Sequence, residues 1–189
     1  MNKTTKKLKS KNKALFLDRD GVVNEDYGYV SKKKDFHLIK NIKVLINTAQ
    51  SKNYKIIIVT NQAGIGKGYF SVYDFQKLMK YMKNLLLKDD CHIDAIYYCP
   101  FHPSKGIGKF LKNSFDRKPN PGMFLKAKKK FNLDMSKSIL VGDKMSDIQA
   151  GINSFIKTNI LFNKNKIKIN NKKFKFIEIN ELTKALKYL

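Results

Sequence analysis

A chain of 189 residues with 42% hydrophobic side chains is long enough to bury the core of one domain. Its formal net charge of +24 sets up a field that draws in phosphorylated ligands. The lysines are spread along the whole chain, however, with no dense arginine cluster and no nucleic-acid-binding module, so a nucleic-acid partner is not expected.

Residues 1–13 read as a flexible, basic tail without the apolar stretch of a secretory signal. No run of about 18 apolar residues exists to span a membrane. The only cysteines, Cys91 and Cys99, are too few for a disulfide scaffold. A cytoplasmic, monomeric protein is the expectation. The rest of the chain, residues 14–189, reads as a single domain. Its first apolar run, 14–17, ends in polar residues and predicts a buried strand. Apolar residues at helical spacing predict a helix over 41–51, and the β-branched run 55–59 a second buried strand. Residues 71–87 predict an amphipathic helix with Ser71 as N-cap and Phe75, Leu78, Met79 and Met82 on one face. A third strand is expected at 95–98. A long loop over 100–121 follows, holding the chain's four prolines, Pro100, Pro103, Pro119 and Pro121. Then come a helix at 122–131, a strand at 138–141, a helix beginning at 147–151, strands at 159–162 and 174–177, and a last helix at 181–189. The Lys-rich stretch 163–175 reads as a solvated loop. Strands alternating with helices predict an α/β fold, with a parallel sheet and helices on both faces.

In such a sheet the reactive site lies beyond the carboxyl ends of the strands. Four of those ends carry polar residues: Asp18-Arg19-Asp20-Gly21, Thr60-Asn61-Gln62, Arg117-Lys118 ahead of Pro119, and Gly142-Asp143-Lys144 with Asp147 close behind. Phosphoryl transfer uses these residue types. A carboxylate such as Asp18 can attack phosphorus and form an acyl phosphate. Asp20, two residues on, points the same way in an extended segment and can protonate the leaving oxygen, then activate water. Carboxylates gathered together call for a hard cation, and Mg²⁺ suits oxygen ligands and phosphate. Thr60 and Lys118 can hold phosphoryl oxygens as negative charge develops, and Gly21 lets the backbone turn sharply beneath the phosphate.

These blocks resemble the motifs of the haloacid dehalogenase-type phosphatases. The longer strings DRDGVVN at 18–24, GYV at 28–30, TNQAGIGKGYF at 60–70, YCPFHP at 98–103, RKPNPGM at 117–123 and GDKMSD at 142–147 resemble the heptose-bisphosphate phosphatases. The related histidinol-phosphate phosphatases share much of the pattern. The resemblance covers residues 14–189. It implies a Rossmann-like sheet without a large cap domain, and a cytoplasmic phosphatase removing the C7 phosphate of a heptose 1,7-bisphosphate for surface polysaccharide synthesis. It makes Asp18 the nucleophile and Asp20 the acid/base. Mg²⁺ would be bound by Asp18, the backbone carbonyl of Asp20, and Asp143. Thr60 and Lys118 would stabilise the phosphoryl group, Asn61, Arg117 and Lys144 would orient substrate, and Asp147 would support the acidic site. The partner is then a small phosphorylated sugar. Histidinol-phosphate hydrolysis, 3′-phosphate removal from polynucleotides and non-catalytic binding on the same scaffold are the alternatives. Val22 stands where polynucleotide phosphatases usually have Thr.

Members often carry a structural zinc in the long loop, on Cys-x-His and Cys-x-Cys. Here those positions read Cys99-Pro100-Phe101 and Ser114-Phe115-Asp116, so only Cys99 keeps its ligand. Closed zinc sites need four protein ligands. Cys99, His102 and Asp116 offer three ligands that a water could complete, one short of a closed site, so the expectation is no structural zinc, with Cys99 a small hydrophobe and the loop either ordered by Phe101, Phe110 and Phe115 or mobile.

Overall fold

The computed structural model describes residues 11–168 and 173–189. Most of the expected basic tail, and 169–172 of the Lys-rich stretch, lie outside them. Six parallel strands form one sheet in the order β3-β2-β1-β4-β5-β6. The strands are β1 (Lys13–Leu17), β2 (Tyr54–Asn61), β3 (Ala95–Cys99), β4 (Ile139–Gly142), β5 (Thr158–Phe162) and β6 (Ile177–Ile179). The α-helices are α1 (Ile42–Ser51), α2 (Ala63–Gly66), α3 (Val72–Leu87), α4 (Gly122–Phe131) and α5 (Met145–Asn153). No further domain is inserted among the described residues.

The strands read as near-continuous apolar runs because both faces of the sheet are covered. Alternate residues feed two cores. Leu15, Leu17, Ile56, Ile58 and Val141 pack with Leu45 and Ile46 of α1 and with Phe75, Leu78 and Met82 of α3. Ala14, Phe16, Ile57, Val59 and Leu140 pack with Met123, Phe124 and Ala127 of α4 and Ala150 of α5. Helix α3 starts where expected: Ser71 accepts from the Asp74 backbone, and Asp74 closes the capping box.

Three elements depart from the sequence reading. The strand expected at 174–177 begins at Ile177, because pairing with β5 sets Ile177 opposite Ile160 and Ile179 opposite Phe162. The last helix is a 3-10 helix, Leu182–Tyr188, which stacks the buried Leu182 and Ala185 three residues apart on one face. Helix α2 was not anticipated, since its glycines read as a loop. Gly64 is there for close approach: a Cβ would lie 2.3 Å from the ring of Phe70.

The chain runs outward from β1 through β2 to β3, then returns to place β4 on the other side of β1. This reversal is the topological switch point at which such sheets bind ligands. Asp18 leaves β1 there and Asp143 leaves β4.

Candidate active site at the switch point

A cavity of about 390 Å³ opens at this point. Asp18, Asp20, Thr60, Asn61, Arg117, Lys118, Lys144 and Asp147 line it, together with Gln62, Asp26 and Tyr29. The carboxyl end of β2 and the segments that follow β1, β2, β3 and β4 thus bring together the sequence-predicted residues except Asp143, which is not among those lining the cavity.

At its centre the buried Lys118 ammonium lies 2.7 Å from Asp18 Oδ1 and 2.6 Å from Asp147 Oδ1, and donates to the Val59 carbonyl at 2.8 Å. Burial alone would lower the Lys118 pKa, but Asp147 and Asp18 outweigh it and hold the side chain charged above its ordinary range. Burial pushes the Asp18 carboxyl up, aided by Asp147 and opposed by the charge of Lys118. The expected support from Asp147 has a definite form: its second oxygen accepts the Lys144 backbone N–H at 3.0 Å, capping α5.

Asp18, Asp143 and Asp147 can each present an oxygen within 4.8 Å of the other two. Both oxygens of Asp147 have partners, whereas the buried Asp143 Oδ1 has none. Burial and the neighbouring Asp18 raise the Asp143 pKa to about 8. Crowded carboxylates with an unpaired oxygen fit a hard divalent cation. Gly21, at φ +93°, makes this packing possible, since a Cβ there would sit 2.3 Å from Asp143 Oδ2.

Asp20 faces another set of groups. Its Oδ1 accepts from Arg19 Nε at 2.9 Å, Arg19 Nη2 at 2.5 Å and Asn24 Nδ2 at 3.0 Å, and its Oδ2 accepts from Gln62 Nε2 at 2.9 Å. Gln62 also donates to Thr60 Oγ1 at 2.8 Å, leaving the threonine hydroxyl its own proton to donate. Sequence reasoning assigned no role to Arg19, Asn24 or Gln62, although all three lie inside the quoted motif strings. Asn61 does not reach into the cavity with a free amide. Its Nδ2 and Oδ1 both pair with the Lys118 backbone at 3.0 Å, tying β2 to the loop that carries the lysine. Arg117 donates to the Phe101 carbonyl at 3.1 Å. Lys144 lies 3.0 Å from Asp26 and 3.4 Å from Asp143.

Cys99, the last residue of β3 before the 100–121 loop, is fully buried in the α4-side core. His102 and Asp116, the other loop residues able to ligate a metal, make contacts of their own. His102 Nδ1 accepts from the Ser104 and Lys105 backbones, and Asp116 pairs with Lys126. Phe101 and Phe110 pack with centroids 6.0 Å apart, as expected, but Phe115 is 61% exposed. The backbone of that turn is held by Ser114 and by the Gly122 N–H on the Phe115 carbonyl instead, which turns the Phe115 ring outward.

Residues 13–182 match the family model described as polynucleotide kinase 3 phosphatase. The chain is 50% identical over 151 residues to a D-glycero-alpha-D-manno-heptose-1,7-bisphosphate 7-phosphatase of Burkholderia mallei, covering 80% of each chain. It is 41% identical over 158 residues to a D-glycero-beta-D-manno-heptose-1,7-bisphosphate 7-phosphatase of Helicobacter pylori, covering 83% of this chain and 87% of that one. Among solved structures, D,D-heptose 1,7-bisphosphate phosphatase from B. bronchiseptica, complexed with magnesium and phosphate, superposes with a TM-score of 0.80. That match covers 93% of this chain and 96% of the other at 23% identity, and establishes the shared fold.

Proposed function

Because the chain belongs to the polynucleotide kinase 3 phosphatase family, and within it to the haloacid dehalogenase-type heptose-bisphosphate phosphatases, we propose that it removes the C7 phosphate of D-glycero-D-manno-heptose 1,7-bisphosphate. The observation that carries the chemistry is the buried Lys118 held between Asp18 and Asp147, beside the unpaired oxygen of Asp143.

Asp18 attacks phosphorus, forming a P–O bond to its carboxylate as the bond to the C7 oxygen breaks. Asp20 delivers a proton to that leaving oxygen, then takes one from the water that hydrolyses the acyl phosphate, so each half-reaction balances. Lys118 and the Thr60 hydroxyl bind the phosphoryl oxygens, and the Lys118 charge opposes the effect of burial on the Asp18 carboxyl. Arg19, Asn24 and Gln62 hold Asp20, so its proton transfers depend on how readily those bonds yield. Asp18, Asp143 and the Asp20 carbonyl are the residues that would hold Mg²⁺. When bound, it neutralises charge between carboxylates and phosphate. Asn61 acts by fixing Lys118, while Arg117 and Lys144 face the remainder of the substrate. This reading takes the loop at 100–121, where only Cys99 stands at the four zinc-ligand positions, to work without zinc, and a single chain to be the working unit.

A second reading has two observations in its favour: the net charge of +24 and the family model's description. It takes a 3′-phosphorylated polynucleotide as substrate. Phosphate release from both anomers of the heptose bisphosphate, heptose 7-phosphate, histidinol phosphate and 3′-phosphorylated DNA separates the two. The heptose bisphosphate is expected to give the highest kcat/KM. Faster release from the DNA or from histidinol phosphate would overturn the assignment.

A further inference from the structure

Tyr29 is the one aromatic residue among those lining the cavity, whose other walls are carboxylates, lysines, an arginine, amides and small residues. It is 47% exposed, and the Tyr69 ring that packs edge-on against it, with centroids 4.7 Å apart, is 60% exposed. Neither ring serves the core. Yet Tyr29 is closely held. Lys67 Nζ donates to its hydroxyl at 2.5 Å and lies 4.9 Å from its ring centroid. The ring edge sits so near Gly64 that a Cβ there would lie 3.0 Å from Tyr29 Cδ1. The next residue is tethered too, since Arg19 Nη2 donates to the Val30 carbonyl at 2.8 Å. Tyr29 itself has φ +53°, a left-handed conformation that is unfavourable for a non-glycine residue and persists where surrounding contacts impose it.

A strained backbone, a tethered neighbour and a ring clamped by a second loop all fix one apolar face at the rim of a polar cavity. A sugar bisphosphate has charged ends and a carbon skeleton whose C–H bonds need an apolar surface. We propose that Tyr29 is a specificity-determining residue, its ring the platform for the C–H face of the sugar, with Lys67 and Tyr69 as positioning residues that hold the ring in place. This rests on the sugar-phosphate reading above.

The test compares kcat/KM for the heptose 1,7-bisphosphate with that for acetyl phosphate, which has no sugar to stack. In Tyr29→Ala the ratio of the two is expected to fall roughly tenfold, mainly through KM for the sugar, the scale of losing one buried aromatic contact. Tyr29→Phe keeps the ring and is expected to hold the ratio within about threefold. Tyr69→Ala, outside the cavity lining, is expected to lower it partially, and reports on the platform even if Tyr29→Ala fails to fold. A wild-type preference for the sugar that survives all three changes overturns the platform and leaves the substrate assignment standing; so does an equal loss on both substrates, which marks a structural role. No wild-type preference for the heptose bisphosphate over acetyl phosphate overturns the substrate assignment and the platform together.

Discussion

Asp18 and Asp20 stand two residues apart but in different surroundings, and the difference fits the two roles proposed for them. Asp18 is buried against a lysine that stays charged, which suits a nucleophile. Asp20 is partly open to the cavity and held by four donors. Asp18→Asn is expected to reduce phosphate release by at least about a thousandfold with the fold retained, because an amide cannot form the acyl phosphate. Substantial turnover by that variant would sink the covalent mechanism. Asp143 makes a separate prediction. Its folded pKa, about 8, lies above the unfolded value, so the metal-free folded protein keeps a proton that the unfolded chain releases. The stability this contributes is fully present below about pH 4 and is lost as pH rises through the folded pKa. Mg²⁺ competes with that proton. The rise in melting temperature on adding Mg²⁺ is therefore expected to be larger at pH 8.5 than at pH 6, and Asp143→Asn to remove most of the difference. Equal shifts at both pH values in the wild type would contradict the proton on Asp143.

The turn after β1 is the element on which the site depends most. Arg19 accepts three backbone N–H groups at its carbonyl, from Val22, Val23 and Asn24, and Gly21 lies beneath Asp143 with a positive φ. Gly21→Ala places a methyl 2.3 Å from Asp143 Oδ2 in a conformation that L side chains rarely adopt. The carboxylate must move, so Mg²⁺ affinity is expected to fall roughly tenfold or more, consistent with the sensitivity of metal sites to ligand support. Titration calorimetry checks this, and wild-type affinity in the variant would show that the turn tolerates the methyl. Helix α2 matters for a related reason. Its glycines let α2 lie against Phe70, Pro100 and Tyr29, joining the cavity rim to the 100–121 loop.

At the scale of the molecule, the +24 charge is too widely spread to define a docking face by itself, but its summed field acts on an anionic substrate before contact. Salt shortens the reach of that field from about 30 Å at 0.01 M to about 10 Å at 0.1 M. Over that range kcat/KM for the heptose bisphosphate is expected to fall severalfold, with kcat changing less. A flat salt dependence would mean that only the charges inside the cavity matter.

The amino-acid sequence by itself determined the sheet and which polar residues stand at its carboxyl ends. Apolar runs at 14–17, 55–59 and 138–141 leave no other burial than a sheet covered on both faces, and polar residues at their carboxyl ends meet wherever such strands pair. What only the tertiary structure decided was which polar atoms are left unpaired. Asn61 is occupied by the Lys118 backbone, and Asp147 by Lys118 and Lys144, while Asp143 Oδ1 has no partner. Sequence spacing carries no information on that pairing, because it depends on contacts between residues as far apart as Asp18 and Lys118. Tyr29 and Gln62 went unassigned for the same reason. A tyrosine in a loop and a glutamine after a strand are ordinary in sequence, and they join the site only because β1 and β2 pair in parallel and carry their following loops to the same end of the sheet.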